Sequence, residues 1–103
     1  MALEQDELTL RLNAETATIA WSELQRQFAQ GRTLYVAPDL DLVAVAKAII
    51  EDHSAYMEPL VAKESVRAVL DDEAQTWLAE DKAVWAVVVP PYVLVQPTQE
   101  ATD

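Results

Sequence analysis

The stretch AVWAVVVPPYVLVQ, residues 83–96, carries no charge in a chain with 18 Asp plus Glu against 7 Lys plus Arg. It can be read as a membrane segment, a binding surface or the middle of a sheet, and the choice decides the fold. A membrane-spanning helix needs about 18 or more apolar residues. This run is shorter and is broken by adjacent prolines, Pro90 and Pro91. Val84–Val89 is instead a largely β-branched run, the mark of a strand that is central or covered on both faces. Neither proline supplies a ladder N–H, so the strand must bend, break or reach an edge there. Tyr92–Gln96 resumes β character, either as a second strand after a tight turn or as one strand bent at the prolines.

Working backwards, Asp71, Asp72 and Glu73 open a helix with Ala74, Trp77 and Leu78 inward, ending near Glu80 and Asp81. KESVRAVL, 63–70, reads as a short strand or an irregular connector. In DLDLVAVAKAIIEDH, Leu42, Val45, Ala46 and Ile49 line one helical face, widened by Val43 and Ile50. Asp39 or Asp41 caps this helix. Its pattern continues through Tyr56 and Met57 to Pro59, which must kink it, end it or start a new turn. RTLYVAP reads as a strand over 33–37, stopped by Pro38. AWSELQRQFAQG places Trp21, Leu24 and Phe28 on one side of a helix over about 20–30. Gly31, the chain's only glycine, follows at the position where positive φ is needed. Residues 4–14 alternate like a strand at Leu8, Leu10 and Leu12, yet Leu8 and Leu12 lie one helical turn apart. Early acids and a later Arg11 favour helix.

At 103 residues the chain suits one domain with one core. We expect order over about 4–96 and fraying of the polar tail 97–103. A formal charge of −11 repels phosphate backbones, which argues against nucleic-acid binding. The absence of cysteine removes disulfides, thiol nucleophiles and Cys-based zinc sites, and suits a reducing cytoplasm. MALEQDEL is acidic where a signal peptide is basic and then apolar. One glycine excludes a Walker loop or dinucleotide fingerprint, and one histidine without cysteine excludes histidine-rich metal sites and Cys/His catalysis within one chain. No internal repeat, low-complexity run or linker appears. No cofactor is implied.

LNAETATIAWSELQRQFAQGR, then VAPDLDLVAVAKAIIED, then DDEAQTWLAEDKAVWAVVVPPYVLVQ resembles a bacterial family of small proteins known only as a domain of unknown function, DUF2288. The likeness runs in order over about residues 10–96. Its most specific parts are Leu12-Asn13 through Thr16, the Pro38–Val43 block, and Trp85 through Gln96. Residues 53–70 fit least, and His53 and Pro59 look particular to this chain. The resemblance implies a small cytoplasmic bacterial protein and implies no chemistry.

Candidate sites follow from residue type. His53 sits among Glu51, Asp52 and Ser54, but adjacent helical side chains point apart, so a solvated histidine explains it. Asp39 and Asp41 are hard oxygen donors suited to Mg²⁺ or Ca²⁺, although capping alone accounts for acids there. Asn13, Glu15 and Thr16 with Thr18 form a polar group that a hydrogen-bonded turn also explains. Trp21 and Trp77 fall on inward faces. Trp85 can line an apolar groove with Tyr35 and Tyr92, or belong to half of a dimer interface. The interface candidates are Trp85, Val87, Val89, Tyr92 and Leu94.

These observations predict an α+β domain: a sheet of two to four strands, including 33–37 and 84–89 paired at its centre, packed against three to four helices. The function they favour is a non-enzymatic interaction module that binds a protein partner or itself, with homodimerisation through the last strands. Two alternatives stand beside it: a divalent-metal or small-ligand protein built on Asp39 and Asp41, and an acidic decoy for basic proteins.

Overall fold

The computed structural model describes residues 6–98. Their elements run α1 (Glu7–Glu15), β1 (Ala17–Ala20), a 3₁₀ turn (Trp21–Leu24) leading into α2 (Gln25–Ala29), β2 (Thr33–Val36), α3 (Leu42–Ile50), α4 (Ser54–Ala62), β3 (Val66–Ala68), α5 (Asp71–Ala79), β4 (Ala83–Val89) and β5 (Tyr92–Pro97). The fold is α+β, with five helices and a five-stranded mixed sheet, more of each than the sequence predicts.

The sheet order is β1-β4-β5-β2-β3. The uncharged stretch is therefore a hairpin. β4 and β5 pair antiparallel from Val84↔Pro97 to Val89↔Tyr92, and Pro90–Pro91, joined by a cis peptide, form the two-residue connection. The expected pairing of 33–37 with 84–89 is overturned. β5 lies between them, and β2 runs parallel to it with Thr33↔Val93 and Tyr35↔Val95. A two-residue connection forces β5 beside β4, so only the far side of β5 remains for β2. Val93, Leu94 and Val95 are all buried, which marks β5 as the central strand. β4 alternates between buried and exposed positions.

Alternation along each strand sends side chains to opposite faces. One face carries Val87, Val89, Leu94, Val36 and Val66 against Leu12 of α1 and Leu42, Val45 and Ala46 of α3, with Met57 and Leu60 of α4 at its margin. The other carries Val84, Val93 and Val95 against Trp21, Leu24, Ala74 and Trp77. That second core is aromatic. Trp21 meets Phe28 edge-on at 5.6 Å and Trp77 at 5.1 Å, and its indole N–H donates to the Ala74 carbonyl at 3.1 Å. The inward placement of Trp21 and Trp77 read from their helical spacing is found.

Four helices end in the same closure. After α2, α3, α4 and α5 the chain turns through a positive φ at Gly31, Asp52, Glu64 and Asp81. The next residue in each case reaches back to the third-from-last helical carbonyl: Arg32 N–H to Gln27 O, His53 to Ala48, Ser65 to Leu60 and Lys82 to Trp77, at 2.8–2.9 Å. This is the Schellman arrangement, which usually employs glycine. Three of the four use an acid instead. The closure at Asp52 also corrects the expected long helix. α3 stops at Ile50, α4 begins anew at Ser54, and Pro59 lies inside α4 rather than ending a helix. Residues 63–70 contain the short strand β3, and Ala17–Ala20, which the sequence reading passed over, form another. Pro97 closes β5 and the Thr98 hydroxyl donates to Ala83 O at 3.0 Å; the remainder of the expected fraying tail, with residues 4 and 5 of the first helix, lies outside the described residues.

Candidate functional site

The Asp41 carboxylate accepts from the N–H groups of Val43 (3.0 Å) and Ala44 (3.2 Å), so it caps α3 and satisfies donors that the first helical turn leaves free. Asp39 is exposed in the preceding loop. Gln96 holds that loop to the sheet, donating to Ala37 O (2.9 Å) and Leu40 O (2.8 Å). Glu51 is the C-cap of α3, about 15 Å along the axis from Asp41, so one ion cannot join them. Among the described residues no group of three acidic, histidine or cysteine side chains is placed to hold a metal. His53 is exposed at the start of α4 and stacks on Tyr56 with centroids 6.0 Å apart.

The polar group before the Trp21 turn disperses. The Asn13 amide donates to Thr9 O at 3.1 Å and the Thr16 hydroxyl to Leu12 O at 2.7 Å, both within α1. Thr18 stands apart on β1.

The five interface candidates also divide. Val87, Val89 and Leu94 are at most 2 % exposed, because they share the face covered by α1 and α3; they serve the chain's own core and cannot present a surface. Trp85 and Tyr92 remain exposed. They lie at opposite ends of the hairpin, Trp85 opposite Gln96 and Tyr92 opposite Val89. Tyr35 is on the other face, because it pairs with Val95, whose β4 partner is Ala86. The three aromatics therefore form no common groove.

Trp85 has a different neighbour. It pairs with Thr18 of β1 on a part of the sheet face that the helices leave open, and it is 41 % exposed. β1 is the terminal strand of the sheet. Trp21 N–H donates to Lys82 O at 2.9 Å, and antiparallel pairs alternate. Ile19 and Ala17 therefore direct their main-chain groups to β4, while the N–H and C=O of Thr18 point outward. Among the described residues nothing pairs with that outer side. The strand ATIA carries no charge, proline or bulge, the usual guards of an edge. Sequence reading missed it because four residues containing two alanines give a weak period-2 signal; the run of Thr16, Thr18 and Ile19 was the available clue.

The opposite edge, β3, carries a charge, and the Arg67 guanidinium donates to its outward-facing Ala68 carbonyl at 3.3 Å. Arg67 makes a bidentate pair with Glu73 (2.9 and 2.8 Å) and its guanidinium lies 4.1 Å from the centre of the Tyr35 ring. Glu73 also accepts from Leu70 N–H at 3.1 Å. The Arg67 hydrogen bonds hold the Glu73 carboxyl below its ordinary value, and burial opposes them only in part; the same pair raises Arg67. The other perturbed carboxyl is Asp6, pulled down to about 2 chiefly by its hydrogen bond with Lys47, at 2.7 Å. It also caps α1 through Thr9 N–H at 2.8 Å. Both shifts come from pairs that tie elements together.

A further concavity of about 480 Å³ is lined by Arg11, Glu15, Ile50, Val88 and Pro90. Its two charged groups approach each other at 4.0 Å and are well exposed, so it is an open cleft with no converging polar groups. No described helix is long and apolar enough to cross a membrane.

The comparisons agree with the resemblance read from the sequence. No curated protein matches the chain. The solution NMR structure of PA1075 from Pseudomonas aeruginosa is 39 % identical, with a TM-score of 0.80, over 99 % of this chain and 95 % of that one. The model of a protein family of unknown function, DUF2288, matches residues 7–97. This span takes in every helix and strand described above, and the chain belongs to the DUF2288 family.

Proposed function

We propose that the chain is a protein-interaction module that receives an extended segment of its partner on the outer side of β1, with Trp85 as the adjoining side-chain anchor. The observation that carries this reading is the unequal treatment of the two sheet edges. Both end strands are short, four residues and three, so length does not distinguish them. On β3 the Arg67 guanidinium places a charge beside the edge and donates to the outward Ala68 carbonyl at 3.3 Å, whereas among the described residues the outward main chain of Thr18 on β1 has neither a partner nor a charge beside it. Added strands gain affinity from main-chain bonds, and side chains beside the edge supply selectivity. An exposed Trp has the area and the donor for that role.

The test is site-specific photocrosslinking in the native cell, with the crosslinking amino acid at Thr18 and, as control, at Arg67. Adducts from position 18 that are missing from position 67 support the reading. Equal adducts from both positions, or none from position 18, reject it.

A further inference from the structure

We infer that the segment received by β1 is basic at both of its ends, and that it is not a second copy of this chain. The inference rests on the edge reading above and adds the partner's chemistry. β1 is bracketed by exposed acids: Glu15 closes α1 on one side, and Glu23 lies in the turn on the other. Arg11 reaches Glu15 only at 4.0 Å, with both side chains more than half exposed, so water screens the pair and leaves the acid available.

Self-pairing meets these acids in either direction. In an antiparallel pair about a two-fold axis, the Glu15 end of one β1 meets the Glu23 end of the other. In a parallel pair, like ends coincide. Each arrangement sets acid against acid at both ends, between chains that each carry −11. A strand with Lys or Arg on both sides of an apolar, β-branched centre meets opposite charge at both ends and an uncharged edge between. Charge at the rim of an interface acts through encounter rate and partner choice, so the preference should weaken with salt.

The experiment is selection of a random-peptide phage library on the full chain, with the selected peptides then followed by amide NMR. Enriched peptides should carry basic residues on both sides of a β-branched core and should move the amides of Ala17–Ala20 and the Trp85 indole. Thr18→Pro should abolish binding. Because that change can disturb the sheet, Glu15→Lys combined with Glu23→Lys provides the second arm. Both positions are exposed, and the reversal should weaken the selected peptides by roughly tenfold through the two lost charge contacts. Peptides that move the β1 amides without basic ends, or that ignore the reversal, overturn this inference and leave the edge reading standing. Peptides that bind elsewhere overturn both. A concentration-dependent dimer removed by Thr18→Pro shows that a second copy is the occupant and overturns the inference. No enrichment together with a strict monomer overturns both.

Discussion

β1 and β3 close the same sheet with strands of similar length, yet they are secured by different physics. β1 is held at its end by a buried aromatic side chain: the chain leaves Ala20 directly into Trp21, which is fully buried between Phe28 and Trp77. Among the described residues its outer side is left bare. β3 carries a charged pair beside the edge, where Arg67 binds Glu73 and also donates to the outward-facing Ala68 carbonyl at 3.3 Å. An edge can thus be anchored without being closed. Hydrophobic anchoring acts from below the sheet and leaves the ladder groups free, whereas an edge charge discourages pairing by its position.

The largest expected effect tests the aromatic anchor. Trp21→Ala removes the largest fully buried side chain and leaves a cavity between two rings; it should cost about 3–5 kcal/mol in urea unfolding. The loss should change little with salt. A cost under about 1 kcal/mol would mean that β1 is held by its ladder and not by Trp21.

The charged anchor comes next. Glu73→Gln keeps the shape but breaks the charge of the pair, and should cost about 1–3 kcal/mol. The acid profile gives the sign independently. Because folding lowers the Glu73 pKa from its ordinary 4.5, its contribution is fully present above that value and is lost as pH falls through the lower folded one. Asp6 acts likewise between 3.8 and about 2. The wild-type melting temperature should therefore fall below about pH 4.5, and Glu73→Gln should flatten the upper part of that fall. An unchanged profile would remove Glu73 from the account of the β3 edge.

Smaller effects arise where helices turn toward the edges. Glu64 precedes β3 in positive φ, and Glu64→Gly should stabilise by about 0.5–1 kcal/mol, since glycine adopts that conformation without a Cβ penalty and the acid opposes the helix dipole. Gly31→Ala should lose about 1–2 kcal/mol for the reverse reason; nothing lies within 4 Å of the added Cβ, so the strain is in the backbone alone. Thermal melts of both variants would sharpen the contrast between glycine and acidic closures.

The smallest expected stability change is on the bare edge. Thr18→Lys points into solvent and should move stability by less than about 0.5 kcal/mol, while introducing the charge that natural edges use against pairing. With the crosslinking amino acid moved to Ala17, which is also exposed on β1, the adducts should disappear although the fold is intact. Retention of those adducts would separate the partner surface from β1.

Much of this architecture was legible from local signals. The β-branched run over Val84–Val89, the proline pair, the apolar face Leu42–Val45–Ala46 and the glycine after α2 each report on their own segment, and each appears in the fold. The break at Asp52 was not legible, because an acid in positive φ has no compositional signature of the kind Gly31 has. β1 was also missed: its stability comes from the β4 ladder and from Trp21, not from its own side chains.

By itself, then, the sequence determined the class of fold, the family, the exclusion of cysteine and glycine-loop chemistry, and the assignment of its uncharged stretch to a sheet, since these follow from composition and short-range periodicity. Only the tertiary structure decided which strand is central, that Val87, Val89 and Leu94 are covered while Trp85 on the same face is not, and that a charge stands beside one edge and none beside the other. Those depend on which strands become neighbours. Neighbours are chosen by connections and packing between residues far apart in the chain, such as Gln96 with Ala37 and Trp21 with Ala74, and no local pattern encodes them.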